Sequence, residues 1–256
     1  MQFGSLVEKE VSEEFIRFIS ERKTKSNVES YIAIKNAINL FSIPLARTIC
    51  KKGQFVFRGR INNNRDHFFT KDIEIGSRAD VNNILTYGRC NEPFQSLFYC
   101  SDNYYTACME TSKYAREPIE NHEAEETITI GLWEVQEDLI LGIVPTHKSI
   151  LGKNKLMDMF HNYYVDVVAQ HGYYTPELMQ VWDVLSQQFI LDVKGHSCDY
   201  LISCAFANYY FESFVFDSHL QKETQIDGVL YPSVMFISEG INLAIKNNVY
   251  IDGKLV

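Results

Sequence analysis

The sequence predicts an α+β fold, and three features point to it. Two amphipathic helical runs, each led by a capping-box signature, open the chain. Short runs rich in branched and aromatic residues recur from residue 54 to about 144 and return after residue 226. Between them, residues 154–214 change to helical spacing dense in Tyr, Phe and Met. The domain reading is an N-terminal helical extension over 1–44 and one larger domain over 45–256 that carries a helical insert at about 154–214.

In chain order, Ser5 with Glu8 and Ser26 with Glu29 fit the S-x-x-E capping box. Val7, Val11, Phe15 and Phe18 form the first apolar stripe, and Val28, Tyr31, Ile32, Ile38 and Phe41 a broader second one, giving a helical hairpin that ends at Ser42-Ile43-Pro44. After the turn signal Lys51-Lys52-Gly53, the run Gln54–Arg60 reads as a strand ending in two arginines. Asn62 to Asn83 is polar and aperiodic, a long loop able to border a site. Ser96–Cys100 reads as a buried strand, with Ser101, Asp102 and Asn103 as candidate caps of a helix that runs to Glu117-Pro118. On that helix Ala107, Glu110, Thr111 and Tyr114 share a face, which points Glu110 inward. The acidic run Glu120–Glu126 is a solvated loop. Thr127–Val135 and Leu139–Val144 read as a strand pair across Gln136-Glu137-Asp138. Helices follow over about 155–170, 176–193 and 197–214, the second with Thr175 as cap and Pro176 at its first position. Ile226–Met235 resumes strand character until Pro232, with Ser233 beginning a turn, Gly240–Ile245 is a further short element, and Val249–Lys254 reads as a strand or hairpin ending.

Composition narrows the function. The 256 residues suffice to bury the core of one large domain, and 46% hydrophobic with 22% charged residues is ordinary for a globular chain. Seventeen Phe and fifteen Tyr mean that a single aromatic residue marks nothing by itself. A formal net charge of −9 argues against a broad nucleic-acid or acidic-membrane surface, so an anionic ligand must be held by a few local arginines. The segment MQFGSLVEKEV lacks a long apolar region and no run approaches a membrane span, from which a cytoplasmic protein is expected. The six cysteines form no CxxC pair and the seven histidines no HExxH spacing, so neither a disulfide framework nor a metal site is expected.

Three pieces then stand out in order: F-R-G-R at 57–60, the stretch from G-R-C-N at 88–91 through L-F-Y-C at 97–100 to M-E at 109–110, and G-V-L-Y-P-S-V at 228–234. Together they resemble the RES domain family, named for its arginine, glutamate and serine. Members are toxins of bacterial toxin–antitoxin pairs, with a fold similar to the ADP-ribosyltransferase toxins and an activity that degrades NAD. By position, the resemblance assigns the family arginines to Arg58 and Arg89, the aromatic to Tyr99, the acid to Glu110 and the serine to Ser233, with Arg60 an added candidate. It implies an ADP-ribosyltransferase-like mixed β core, NAD as substrate without a bound cofactor, and a helix-turn-helix antitoxin as partner. The N-terminal hairpin and the long interval between Glu110 and Ser233 depart from compact members.

The residue types suit that chemistry. Arginines offer bidentate contacts to a pyrophosphate, and a tyrosine ring can stack on nicotinamide. Cleaving the nicotinamide–ribose bond develops positive charge on the sugar, which Glu110 would stabilise directly or by holding a ribose hydroxyl. Ser233 would orient ribose or carboxamide; it lacks a G-x-S-x-G setting and a paired His. Water, inorganic phosphate or a protein side chain all remain as acceptors. A non-catalytic nucleotide-binding or interaction module is the alternative class, and a hydrolase using His219 and Asp217 a third.

Overall fold

The computed structural model describes residues 9–23, 28–62, 69, 72–112, 115, 126–170, 172, 174–191, 197–217 and 222–256. Its sheet is built around one long antiparallel ribbon made of residues 47–61 and 128–142. Arg47 lies opposite Gly142 at one end and Ile61 opposite Ile128 at the other, in unchanged register through a bend. The bend divides the ribbon into β1 (Arg47–Cys50) with β5 (Leu139–Ile143), and β2 (Phe55–Ile61) with β4 (Ile128–Glu134). Gly53 N donates to Val135 O and Val135 N to Gln54 O, both at 2.8 Å. Lys51 Nζ and Lys52 N bind Asp138 at 2.7 and 2.9 Å.

The expected pairing of 127–135 with 139–144 is therefore corrected, since β4 and β5 do not pair with each other. Gln136-Glu137-Asp138 supplies no Gly or Asn for the positive φ of a tight hairpin, and Asp138 is drawn to the lysines instead. The two arms end on opposite edges of a seven-stranded mixed sheet. With β3 (Leu97–Ser101), β8 (Gly228–Pro232) and β9 (Ile241–Lys246), its order is β1-β5-β8-β9-β3-β2-β4. Only β5 and β8 run parallel among these strands. A parallel pair needs a crossover, and α5 (Lys155–Gln170), α6 (Pro176–Ile190) and α7 (Leu201–Glu212) provide it. A hairpin that the sequence did not announce, β6 (Phe214–Asp217) with β7 (Lys222–Gln225), follows α7.

The N-terminal α1 (Lys9–Lys23) and α2 (Val28–Phe41) pack on α6 and α7. Both Ser residues of the expected capping boxes lie outside the described residues. The buried face of α2 is Tyr31, Ile34 and Ile38, whereas Val28 and Ile32 stay 61% and 50% exposed. Polar ties set that rotation: Tyr31 Oη and Lys35 Nζ both donate to Glu92 Oε1, at 2.6 and 3.0 Å, and Lys35 also reaches Glu212 at 2.6 Å. Within the expected loop 62–83, α3 (Asp72–Ile75) forms one helical turn. The helix after β3, α4 (Tyr104–Thr111), stops short of Glu117, with Ser112 already extended; Tyr114 and the run 116–125 lie outside the described residues.

A second correction concerns Val249–Lys254. The segment begins inside α8 (Asn247–Ile251), although Val249, Tyr250 and Ile251 favour strand locally. Packing decides: Val249 is buried, and the Tyr250 ring stacks on Phe98 and meets Trp133 edge-on, each 5.3 Å between centroids. Among the described residues, no helix is long and apolar enough to cross a membrane.

Candidate active site

Glu110 owes its position to the turn between β3 and α4. Asn103 caps the helix by accepting from Thr106 N at 2.8 Å. Asp102 clasps the start of β9, its Oδ1 accepting from Ile241 N at 3.0 Å and its N donating to Ile241 O at 3.1 Å. Burial pushes the Asp102 carboxyl up from its usual range, opposed by the hydrogen bonds it accepts from Ile241 N and from Asn103 Nδ2. Two glycines let the helix sit close. A Cβ on Gly59 would lie 2.2 Å from Thr111 Oγ1, and one on Gly240 would lie 2.7 Å from Thr106 Oγ1 and 2.8 Å from Ser233 Cβ.

So seated, α4 presents Glu110 to β9 and to the turn after β8. Ser233 Oγ donates to Glu110 Oε1 at 2.5 Å, and Asn242 Nδ2 donates to the same oxygen at 2.7 Å. Ser233 also accepts from Phe236 N at 2.9 Å, and Asn242 Oδ1 accepts from Ser101 Oγ at 2.9 Å. These links join α4, β3, β9 and the turn at residue 233 into one polar cluster around a single carboxylate.

The cluster borders a cavity of about 520 Å³. Pairing between β2 and β3 is confined to Phe57 opposite Ser101, and the cavity opens where the ladder would continue. Arg58 bridges that gap, donating through Nε to Ile75 O at 2.8 Å and through Nη1 to Tyr99 O, with its guanidinium 5.3 Å from the Phe98 ring centre. Arg60 reaches Gly76 O at 2.9 Å. Burial lowers the Arg58 guanidinium to about 10, with the charge of Arg60 adding to the effect, and Arg60 is lowered by burial and by Arg78. Arg58 keeps its charge at neutral pH. A mutually repelling group of cations at one cavity, in a chain of net charge −9, fits an anionic ligand.

Of the expected site residues, Arg58, Arg60, Tyr99 and Glu110 line the cavity together. Tyr99 turns its hydroxyl away, donating to Asn91 Oδ1 at 3.0 Å and accepting from Cys90 N at 3.1 Å, and burial pushes this phenol well above its usual range. Ser233 is fully buried and is not among the lining residues; it stands behind Glu110. Arg89 is elsewhere: it caps the C-terminal end of α6, donating to Gln188 O at 3.2 Å, to Phe189 O, and to Leu191 O at 3.0 Å, and lies 5.4 Å from the Tyr200 ring centre.

Sequence reasoning missed Arg78 and Asn242, which also line the cavity. Arg78 sits in an aperiodic stretch and gave no signal. Asn242 did give one, as an amide inside the apolar run Ile241–Ile245, where a buried polar group needs a partner. A second cavity of about 360 Å³ adjoins the first, sharing Arg58, Arg78 and Tyr99. His219 lies outside the described residues, and Asp217 is described only as backbone in β6. A separate Ser149, His147 and Asp183 cluster has His147 2.7 Å from Ser149 Oγ and 3.2 Å from Asp183 Oδ1. It closes a local turn in which His147 Nδ1 caps Ser149 N at 3.2 Å, and none of the three lines the cavity. No family model, curated protein or solved structure matches the chain.

Proposed function

We propose that this chain is an NAD-consuming enzyme that cleaves the nicotinamide–ribose bond, as a glycohydrolase or a phosphorylase, on an ADP-ribosyltransferase-like fold of the RES type. The observation that carries the proposal is Glu110, held by Ser233 and Asn242 at the wall of a cavity that also takes in Arg58, Arg60 and Arg78. The carboxylate matches the positive charge that develops on ribose as nicotinamide leaves, and the arginines match a pyrophosphate. Cationic nicotinamide is a good leaving group, so no general acid is required. The motif resemblance supports the family, although Arg89 stands at the end of α6 rather than at the cavity, which gives its phosphate-binding part to Arg78.

In a cell, such an activity drains NAD, which suits a bacterial toxin or defence effector acting in the cytoplasm, with a helix-turn-helix antitoxin to neutralise it. Transfer of ADP-ribose to a protein side chain uses the same bond cleavage with another acceptor. The deciding experiment incubates the protein with NAD, with and without inorganic phosphate, and identifies products by mass spectrometry. Nicotinamide with ADP-ribose marks hydrolysis, and a phosphorylated ADP-ribose marks phosphorolysis. Absence of nicotinamide release, with Glu110→Ala indistinguishable from the parent, sinks the proposal. NAD binding without turnover favours the non-catalytic module. Growth arrest on expression, relieved by Glu110→Ala, tests the toxin role.

A further inference from the structure

We infer that Asn242, itself oriented by Ser101, is a positioning residue that fixes the Glu110 carboxylate for the reaction, an inference that rests on the NAD-cleaving function proposed above. Asn242 stands on β9 in a row across three strands, with Tyr231 of β8 on one side and Ser101 of β3 on the other. It is 7% exposed, and Ser101 is 3% exposed. An amide has one acceptor end and one donor end. Ser101 Oγ occupies the acceptor end at 2.9 Å, so the Nδ2 protons are the end that faces Glu110, at 2.7 Å.

The physical need is specific. The terminal torsion of a glutamate is broad, so packing of the aliphatic stem leaves the carboxylate free to rotate. Two donors on one oxygen, from Ser233 on one strand end and Asn242 on another, remove that freedom. Transition-state stabilisation by a fixed charge depends on such orientation being set before the reaction begins. Both side chains border the cavity, and the role inferred is that Asn242 acts through the carboxylate it holds at 2.7 Å and Ser101 through Asn242.

The test measures NAD cleavage by Asn242→Ala and Ser101→Ala, with thermal melts to confirm folding. Losing a donor to a charged group predicts kcat lower by about 10- to 100-fold for Asn242→Ala, and about 3- to 10-fold for Ser101→Ala, with KM within about 2-fold of the parent. KM rising at constant kcat overturns the inference by making Asn242 a substrate contact, and unchanged kinetics in both variants overturn it outright. A second measurement is independent of turnover: the Asn242 side-chain amide proton resonances, followed by NMR. They shift upfield in Glu110→Ala, and in Ser101→Ala they move toward the positions of an exposed asparagine as the side chain becomes free to turn. Resonances indifferent to both substitutions refute the positioning role. If the parent releases no nicotinamide while the resonances respond as expected, the proposed function falls and the Ser101–Asn242–Glu110 chain stands.

Discussion

Ser233 donates its hydroxyl to Glu110 Oε1 at 2.5 Å from a position that is fully buried and outside the cavity lining. A serine so placed acts through the carboxylate, not on substrate. On the proposed NAD-cleaving function, Ser233→Ala is expected to lower kcat by about 10- to 100-fold, the value of a hydrogen bond to a charged group, while KM stays close to the parent's. Steady-state kinetics decide it. A KM that climbs with kcat intact would return Ser233 to the role of orienting ribose or carboxamide.

The two arginines the chain holds at residues 78 and 89 separate in the opposite way. Arg78→Ala removes a cation from the lining shared by both cavities and, on the proposed function, is expected to raise KM for NAD about 10-fold with an unchanged melting temperature. Arg89→Ala strips carbonyls at the end of α6 of their donors, and costs roughly 1–3 kcal/mol of stability, a fall of several degrees in Tm. Arg89→Lys restores little, because an ammonium cannot reproduce the planar fork. Below its lowered Tm, Arg89→Ala keeps the parent's KM. An Arg89→Ala protein as stable as the parent but weak for NAD would reverse this division.

How far the sequence could be read depended on whether local chemistry or a distant partner made the decision. Thr175 and Pro176 start α6 as their capping and fixed φ require, and Asn103 caps α4 from among three candidates. Glu110 was legible because a carboxylate on the apolar face of a helix demands partners. Its partners were not equally legible. Ser233 came only through the family resemblance, and Asn242 stood out only as one amide in an apolar strand run, with nothing there to name its partner. Arg89 had the right residue type and neighbourhood, but the carbonyls that take it up lie about a hundred residues later, at the end of α6. The same limit explains β4 and β5: the ribbon they form with β1 and β2 is held by register and by Asp138, neither of which appears in the two runs themselves. α8 shows local preference losing outright, since Val249, Tyr250 and Ile251 take a helix to place one ring against the Phe98–Trp133 pair.

Gly59 tests the seating of α4 directly. A Cβ there falls 2.2 Å from Thr111 Oγ1 and 3.0 Å from Ile130 Cδ1, so Gly59→Ala must push the helix away or turn Thr111. Overpacking of this kind costs typically about 1–3 kcal/mol. Because Glu110 precedes Thr111, the proposed function predicts that kcat falls along with stability. Adding Thr111→Ala to Gly59→Ala removes the closest clash and recovers most of both. Melting curves and NAD turnover on the single and double variants read the effect; a double variant no better than Gly59→Ala alone would place the conflict elsewhere.

His161 on α5 gives a pH dependence remote from the cavity. Burial lowers its imidazole below the ordinary value, with Asp158 pulling the other way, and its Nδ1 is buried without a hydrogen-bond partner among the described residues. The unfolded chain takes up a proton near pH 6.5 that the folded chain resists. The stability associated with neutral His161 is thus fully present above about pH 6.5 and declines as pH falls below it, until the folded-state value is passed. His161→Leu removes that uptake. Measured from pH 7.5 to 5, the parent's Tm falls more steeply than the variant's, and the gap between them changes only below about pH 6.5. Parallel curves across the whole range would show that His161 takes up its proton as readily in the folded chain as in the unfolded one.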